Sequence, residues 1–243
     1  MRKIDMSLND RTVLITGANG GLGRAAARTL AARGARLALV GQDRGKLEAL
    51  AGELDLPADR LLLQTADLRD PAAAGRIVAA VLEWSGRLDV LLQFVGGWTG
   101  GKGLAEVPAA DLEHMLAQHL WTTFHLVQAA VPPMLAGGWG RLIAISSPYA
   151  VHPAAGGGPY AIAKAAQDTL FLTLAQELKG SGVTANLIQV RSIDAQSERL
   201  THPSPKNASW TTLDEIIGAV IYLCSDVAGQ VNGARLPLFG APA

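Results

Sequence analysis

The chain has 243 residues, 49% of them hydrophobic and 17% charged, which suits one large buried core and excludes a disordered chain. Lys+Arg and Asp+Glu both number 21, and the net charge of zero argues against a nucleic-acid backbone or an anionic membrane surface as the main partner. Cys224 is the single cysteine, so an intrachain disulfide is excluded and a reducing, cytoplasmic compartment is expected.

The opening stretch MRKIDMSLND has no apolar segment of signal-peptide type, and no run reaches the ~18 apolar residues of a membrane span. TVLIT (Thr12–Thr16) reads as a buried strand, followed by a helix over GRAAARTLAARG with Gly34 as its stop. A second strand (Arg36–Val40) precedes the helix DRGKLEALAGEL, and a third (Arg60–Ala66) precedes DPAAAGRIVAAVLEW, with proline near its start. A fourth strand (Leu88–Val95) runs into the glycine-rich loop Gly96–Gly103. A long helix is expected from near Pro108 to the pair Pro132-Pro133, then a fifth strand (Arg141–Ser146), a helix over Pro159–Gly180 and a sixth strand (Thr184–Val190). Asp194–Ser209 is polar, carries Pro203 and Pro205, and reads as a loop or lid over a substrate. LDEIIGAVIYLCS is the last helix and RLPLF the terminal strand.

Strands that alternate with helices and are apolar throughout indicate a parallel sheet covered on both faces. The expected fold is α/β, a single doubly wound, Rossmann-type sheet over residues 1–243, with ligands at the carboxyl ends of the strands. No metal-ligand cluster stands out.

LITGANGGLG (Leu14–Gly23) places glycines 17, 21 and 23 at the first strand–helix junction. Such a turn lets backbone approach a pyrophosphate, which then sits on the free N–H groups of a helix N-terminus. A ligand-free tight turn would need similar glycines, so the spacing alone is a weak signal.

Three further stretches accompany the turn: Asp67-Leu68 after the third strand, Ser147 in ISS, and Tyr160-x-x-x-Lys164 in YAIAK. Together with Thr-Gly-x-x-x-Gly-x-Gly, in this order, they resemble the short-chain dehydrogenase/reductase family. That resemblance implies an NAD(P)-dependent oxidoreductase acting on a small carbonyl or alcohol. It implies cofactor contacts at Gly17, Asn19, Gly21, Leu22, Gly23, Gln42, Asp67, Leu68, Val95, Gly96, Tyr160, Lys164 and Ile193. Residues four apart share a helix face. Tyr160 would give the proton as general acid, with a nearby ammonium lowering its pKa, and Ser147 would hold the substrate oxygen. The resemblance also has Lys164 binding the nicotinamide ribose. Asp67 either takes the adenine amino group or caps the next helix.

In this family an acidic residue after the second strand selects NAD, and an arginine there selects NADP. Those places hold Gly41 and Gln42. Gly41 removes repulsion against a phosphate and Arg44 or Lys46 could reach one, which tips the expectation to NADP over NAD; Asp43 could instead take a hydroxyl.

The family's Asn-Asn-Ala-Gly is replaced by QFVGG, its helix asparagine by His119, and its Pro-Gly by Val190-Arg191. His119 is a substitute proton carrier or a packed helix histidine. VGGWTGG, HLWTT and ASWTT resemble quinonoid dihydropteridine reductases, which would put Trp98 over the nicotinamide end of the cleft against a pterin-like ring. Trp98, Trp121 and Trp210 serve equally as core or interface residues. Related proteins imply a homodimer or homotetramer. An alternative of another class is a catalytically weak NAD(P)-binding sensor or scaffold.

Overall fold

A computed structural model describes residues 6–239; residues 1–5 and 240–243 lie outside the described residues. The strands are β1 (Thr12–Thr16), β2 (Arg36–Gly41), β3 (Leu61–Thr65), β4 (Val90–Gln93), β5 (Gly140–Ser146), β6 (Val183–Gln189), β7 (Ile193–Asp194), β8 (Thr211–Thr212) and β9 (Arg235–Pro237). The helices are α1 (Gly21–Ala31), α2 (Arg44–Leu54), α3 (Pro71–Ser85), α4 (Ala109–Leu116), α5 (Thr122–Ala136), α6 (Gly158–Glu177), α7 (Glu198–Thr201) and α8 (Leu213–Cys224).

Seven strands pair in parallel in the order β3-β2-β1-β4-β5-β6-β9. Successive residues point to opposite faces. Val13 and Ile15 therefore pack in the layer with α1, α2 and α8, and Leu14 in the layer with α3, α5 and α6. Both layers are apolar, which is why each strand reads as an unbroken hydrophobic run. The chain leaves β1 towards β2 and returns on its other side at β4, so a crevice opens where the two directions diverge. The loops after β1 and β4 form that crevice.

Helix boundaries follow local chemistry. Asp70 caps α3 by accepting from the Ala72 amide at 3.0 Å, Pro71 sits in the first turn, and Gly86 at φ 72° ends the helix. The capping alternative for Asp67 is thus corrected, since the residue three further on does that work. Thr212 and Glu215 form a reciprocal capping box at the start of α8.

The long helix differs from its expected form in two ways. It runs through Pro132 and Pro133 to Ala136, because fully buried Met134 holds the last turn in the core despite the missing N–H donors. Between α4 and α5, Ala117–Trp121 is one π-helical turn. The Thr122 and Thr123 hydroxyls donate to the Gln118 and His119 carbonyls at 2.7 and 2.5 Å, satisfying acceptors in the widened turn.

The segment after β6 is also more ordered than a plain polar loop. Buried Asp194 accepts from the Glu198 and Arg199 amides, both at 2.8 Å, starting α7, while β7 pairs with β8. The terminal strand is Arg235–Pro237, shorter than RLPLF.

Candidate active site

Gly17 takes φ +67°, and a Cβ there would lie 2.9 Å from the Phe94 carbonyl. At Gly23 a Cβ would run into the Gly17 backbone, so the third glycine brings α1 close to the turn. Gly20 precedes α1 as its N-cap and supplies no side-chain cap, which leaves the first N–H groups of the helix without a side-chain partner. Two adjoining cavities open over this turn, and Gly17, Gly20, Phe94, Val95 and Gly96 line both.

The first, about 410 Å³, extends over the ends of β2 and β3. Asn19 closes on Asp43, donating to its carbonyl at 3.0 Å and accepting from its amide at 3.1 Å. A Cβ on Gly41 would collide with the Asn19 side-chain amide, so this glycine is required by its neighbour. Arg69 forks onto Asp67, at 2.9 and 3.1 Å from Nε and 2.5 Å from Nη2, and holds its carboxyl at about 2, with a smaller contribution from Gln42. Arg44 and Lys46, the cations expected to reach a phosphate, pair instead with Glu48 at 2.8 Å and Asp43 at 3.7 Å. Leu68 is buried at the edge of the same cavity.

The second cavity, about 300 Å³, runs from Gly20–Gly23 to Tyr160 and Lys164, and Ile193 and Arg191 line its far side. Tyr160 and Lys164 lie one turn apart on α6, and Ser147 follows β5. The Ser147 hydroxyl hydrogen-bonds the Tyr160 phenol and accepts from the Tyr149 amide at 3.3 Å. Burial pushes the phenol above its usual value, and the Ser147 bond opposes that push. The Lys164 ammonium lies 5.9 Å from the Tyr160 ring centroid, over the ring rather than at the phenol oxygen. This departs from the expected lowering by lysine, because the force that lowers the phenol here is the serine bond. Lys164 donates to the Ile145 carbonyl at 2.7 Å and to Gln167 Oε1 at 2.9 Å, and burial brings it down to about 7.

His119 meets the Tyr160 ring edge-on with centroids 5.5 Å apart. Its Nε2 lies 3.0 Å from the Gly97 carbonyl, which accepts only from an N–H, so the proton of the neutral ring sits there. Burial, aided by the Lys164 charge, holds His119 down to about 3. That makes it a neutral anchor of the Gly96–Gly97 loop, with Nδ1 buried and without a hydrogen-bond partner among the described residues. Trp98 is 60% exposed, packs on Gly100 and lines neither cavity, in contrast to the stacking position expected of it. Sequence reasoning missed the roles of Gln167, which touches Lys164, and of Thr123 and Gln93, which follow in series behind it. Their one signal is polarity: each is a buried polar residue on an element otherwise packed with apolar side chains.

The residues present fit a dinucleotide. The turn has no room for a side chain at Gly17, the helix N-terminus is uncapped, and the only charged side chains lining the second cavity among the described residues are Lys164 and Arg191.

Comparison with known proteins agrees. The family model described as short chain dehydrogenase matches residues 11–204. A 1,6-dihydroxycyclohexa-2,4-diene-1-carboxylate dehydrogenase of Pseudomonas putida is 32% identical, with 95% of this chain and 91% of the relative covered. A D-beta-hydroxybutyrate dehydrogenase of Rhizobium meliloti is 28% identical, with 95% and 97% covered. The crystal structure of levodione reductase superposes with a TM-score of 0.86 at 29% identity, covering 96% of this chain and 97% of that one. None of these three is named a dihydropteridine reductase. The relatives are named as dehydrogenases and reductases rather than as sensors, so the reading as an enzyme prevails over the scaffold alternative. This chain belongs to the short-chain dehydrogenase/reductase family and is an NAD(P)-dependent enzyme of it.

Proposed function

We propose that the protein interconverts a small carbonyl compound and its alcohol, with Tyr160 as general acid and base, Ser147 holding the reacting oxygen and Lys164 as the cation beneath them. The observation that carries this reading is that Tyr160 and Lys164 line the end of the cavity that begins at the Gly17 turn, with Ser147 on the Tyr160 phenol. A bound nicotinamide dinucleotide supplies or removes the hydride. Everything else falls to the chain's own groups. The α1 N-terminus and Gly17 would hold the pyrophosphate, and Asp67 and Leu68 would line the adenine. Lys164 has one hydrogen left for the ribose, the other two being committed to Ile145 and Gln167. Tyr160, kept protonated by burial, would donate to the carbonyl oxygen during reduction.

At the adenine end every nearby cation is already paired and Gln42 is neutral. Arg44 and Lys46 would have to leave their exposed partners Glu48 and Asp43 to reach a 2′-phosphate, and on that ground we read the discrimination between NADP and NAD as weak. For the substrate we favour small hydroxy and keto acids. The two relatives described above are named for hydroxylated carboxylates. Arg191, whose guanidinium faces the Phe239 ring rather than a carboxylate, lines the far side of the cavity. We further propose that the whole chain works as one catalytic unit in the cytoplasm and self-associates. Support for self-association is the half-exposed Trp121, which stacks on His125 and meets Phe124 edge-on along the long helix.

The test is a panel of keto and hydroxy acids, neutral ketones and quinonoid dihydropterin, assayed with NADH and NADPH. Tyr160→Phe should lower kcat roughly 10²–10⁴-fold and leave dinucleotide binding, followed by tryptophan fluorescence, nearly unchanged. Wild-type turnover in that variant would overturn the assignment.

A further inference from the structure

Lys164 needs a reason to sit where it does. It is 4% exposed, and no carboxylate touches its ammonium among the described residues. Its partners are a main-chain carbonyl and the Gln167 amide. Gln167 is itself fully buried, three residues further along α6. An apolar side chain would suit such a position better unless both ends of the amide are matched.

Both ends are matched. An ammonium only donates, so Gln167 presents Oε1 to Lys164, at 2.9 Å. Its Nε2 then donates to Thr123 Oγ1 at 3.0 Å. Thr123 passes its own proton to the His119 carbonyl in the π-helical turn, at 2.5 Å, and accepts from Gln93 Nε2 at 3.2 Å. Gln93 also donates to Thr122 at 3.0 Å, and its Oε1 accepts from Thr16, the residue before the Gly17 turn. The series thus joins the lysine to the foot of the cofactor turn through fully or nearly fully buried side chains. None of its members behind Lys164 titrates near neutrality, and amides do not pass protons along. It is a scaffold, not a wire.

We propose that Gln167 is a positioning residue: its amide oxygen sets the place and charge of the Lys164 ammonium, and Thr123 and Gln93 set the amide. This rests on the reading that Lys164 serves the reaction. Other groups acting on Lys164 are accounted for. Tyr160 lies above it on α6. Asp168, one turn on, favours its charge but is tied to Ser146 and to Arg235 at 2.9 Å. From the long helix comes His119, held neutral. From β5 comes the Ile145 carbonyl, and from beyond β6 Arg191 lines the same cavity.

The experiment compares wild type, Gln167→Leu, Gln167→Glu, Thr123→Val and Lys164→Met. It records kcat against pH, KM for dinucleotide, thermal unfolding, and the Lys164 titration by NMR of lysine-labelled apoprotein. Lys164→Met identifies the signal. Removing the acceptor in Gln167→Leu should move the Lys164 titration and the alkaline limb of kcat down by about one to two pH units. A carboxylate in Gln167→Glu should move both up by at least about one unit. Thr123→Val, which frees the amide, should move both down by less. If the titration and the limb stay in place in the variants that fold, with activity falling only in step with thermal stability, Gln167 is mere packing and the proposal is wrong. If Lys164→Met itself keeps wild-type turnover, the role given to Lys164 fails instead.

Discussion

The two ends of the cleft hold charge in opposite ways. At the adenine end, Asp67, Arg69, Asp43, Lys46, Arg44 and Glu48 are all substantially exposed, and they pair with one another across water. Exposed pairs of this kind contribute about 0–1 kcal/mol each and re-form easily. At the nicotinamide end, the Lys164 ammonium bonds only neutral partners among the described residues; Gln167 Oε1 and Nε2 have one partner each, and Thr123 Oγ1 donates once and accepts twice. The first end can be altered one residue at a time. At the second, a single change leaves a buried atom unmatched, which costs about 1–3 kcal/mol and disturbs the reacting group as well.

The widest contrast comes from removing a cation at each end. Lys164→Met should reduce kcat by roughly 10²–10⁴-fold. It should also lower the midpoint of thermal unfolding, since the Ile145 carbonyl and Gln167 Oε1 lose their donor. A variant with unchanged unfolding would break the claim that the buried end is fully committed.

The same lysine sets the pH response. Its charge persists below about 7 and is lost above it. Tyr160, raised by burial, keeps its proton throughout the neutral range. Carbonyl reduction should therefore fall about tenfold per pH unit once pH rises past the lysine. Stability moves the other way. Between about 7 and the ordinary lysine value of 10.5 the unfolded chain holds a proton that the folded chain has released. Rising pH through that window therefore favours the folded state through this group. Lys164→Met should flatten that slope in unfolding measured across the window.

At the adenine end Gln42→Arg should raise kcat/KM for NADPH relative to NADH by about 10–100-fold, the worth of one charged hydrogen bond to phosphate. Steady-state assays with both dinucleotides measure it, and no change would mean that the 2′ position lies elsewhere. The smallest effect belongs to Arg69→Met. It lets Asp67 rise from about 2 towards its ordinary value of 3.8, still ionised at neutral pH, so the unfolding midpoint should move by no more than a few degrees.

How far the chain could be read in advance depended on distance along it. The apolar runs of β1, β2 and β4 announced a sheet covered on both sides, because side chains of both parities are buried. The glycine turn was legible because positive φ and lack of room for a Cβ are local demands. Tyr160 and Lys164 were legible because one helical turn separates them. Pro132 and Pro133 misled for the same reason: they are local stop signals, overridden by the burial of Met134. The place of Trp98 was not legible, because it depends on which way the Gly96–Gly103 loop turns.

The sequence by itself determined the α/β alternation and the crevice turn, which follow from spacings of a few residues, and it marked Ser147, Tyr160 and Lys164 as the candidate group through their resemblance to the family. Only the tertiary structure decided that His119 is a neutral anchor of the Gly96–Gly97 loop and that Gln167, Thr123 and Gln93 stand behind Lys164. The buried series joins β1, β4, the long helix and α6, and a hydrogen bond between residues 44 or 77 positions apart exists only once packing has removed water from between them.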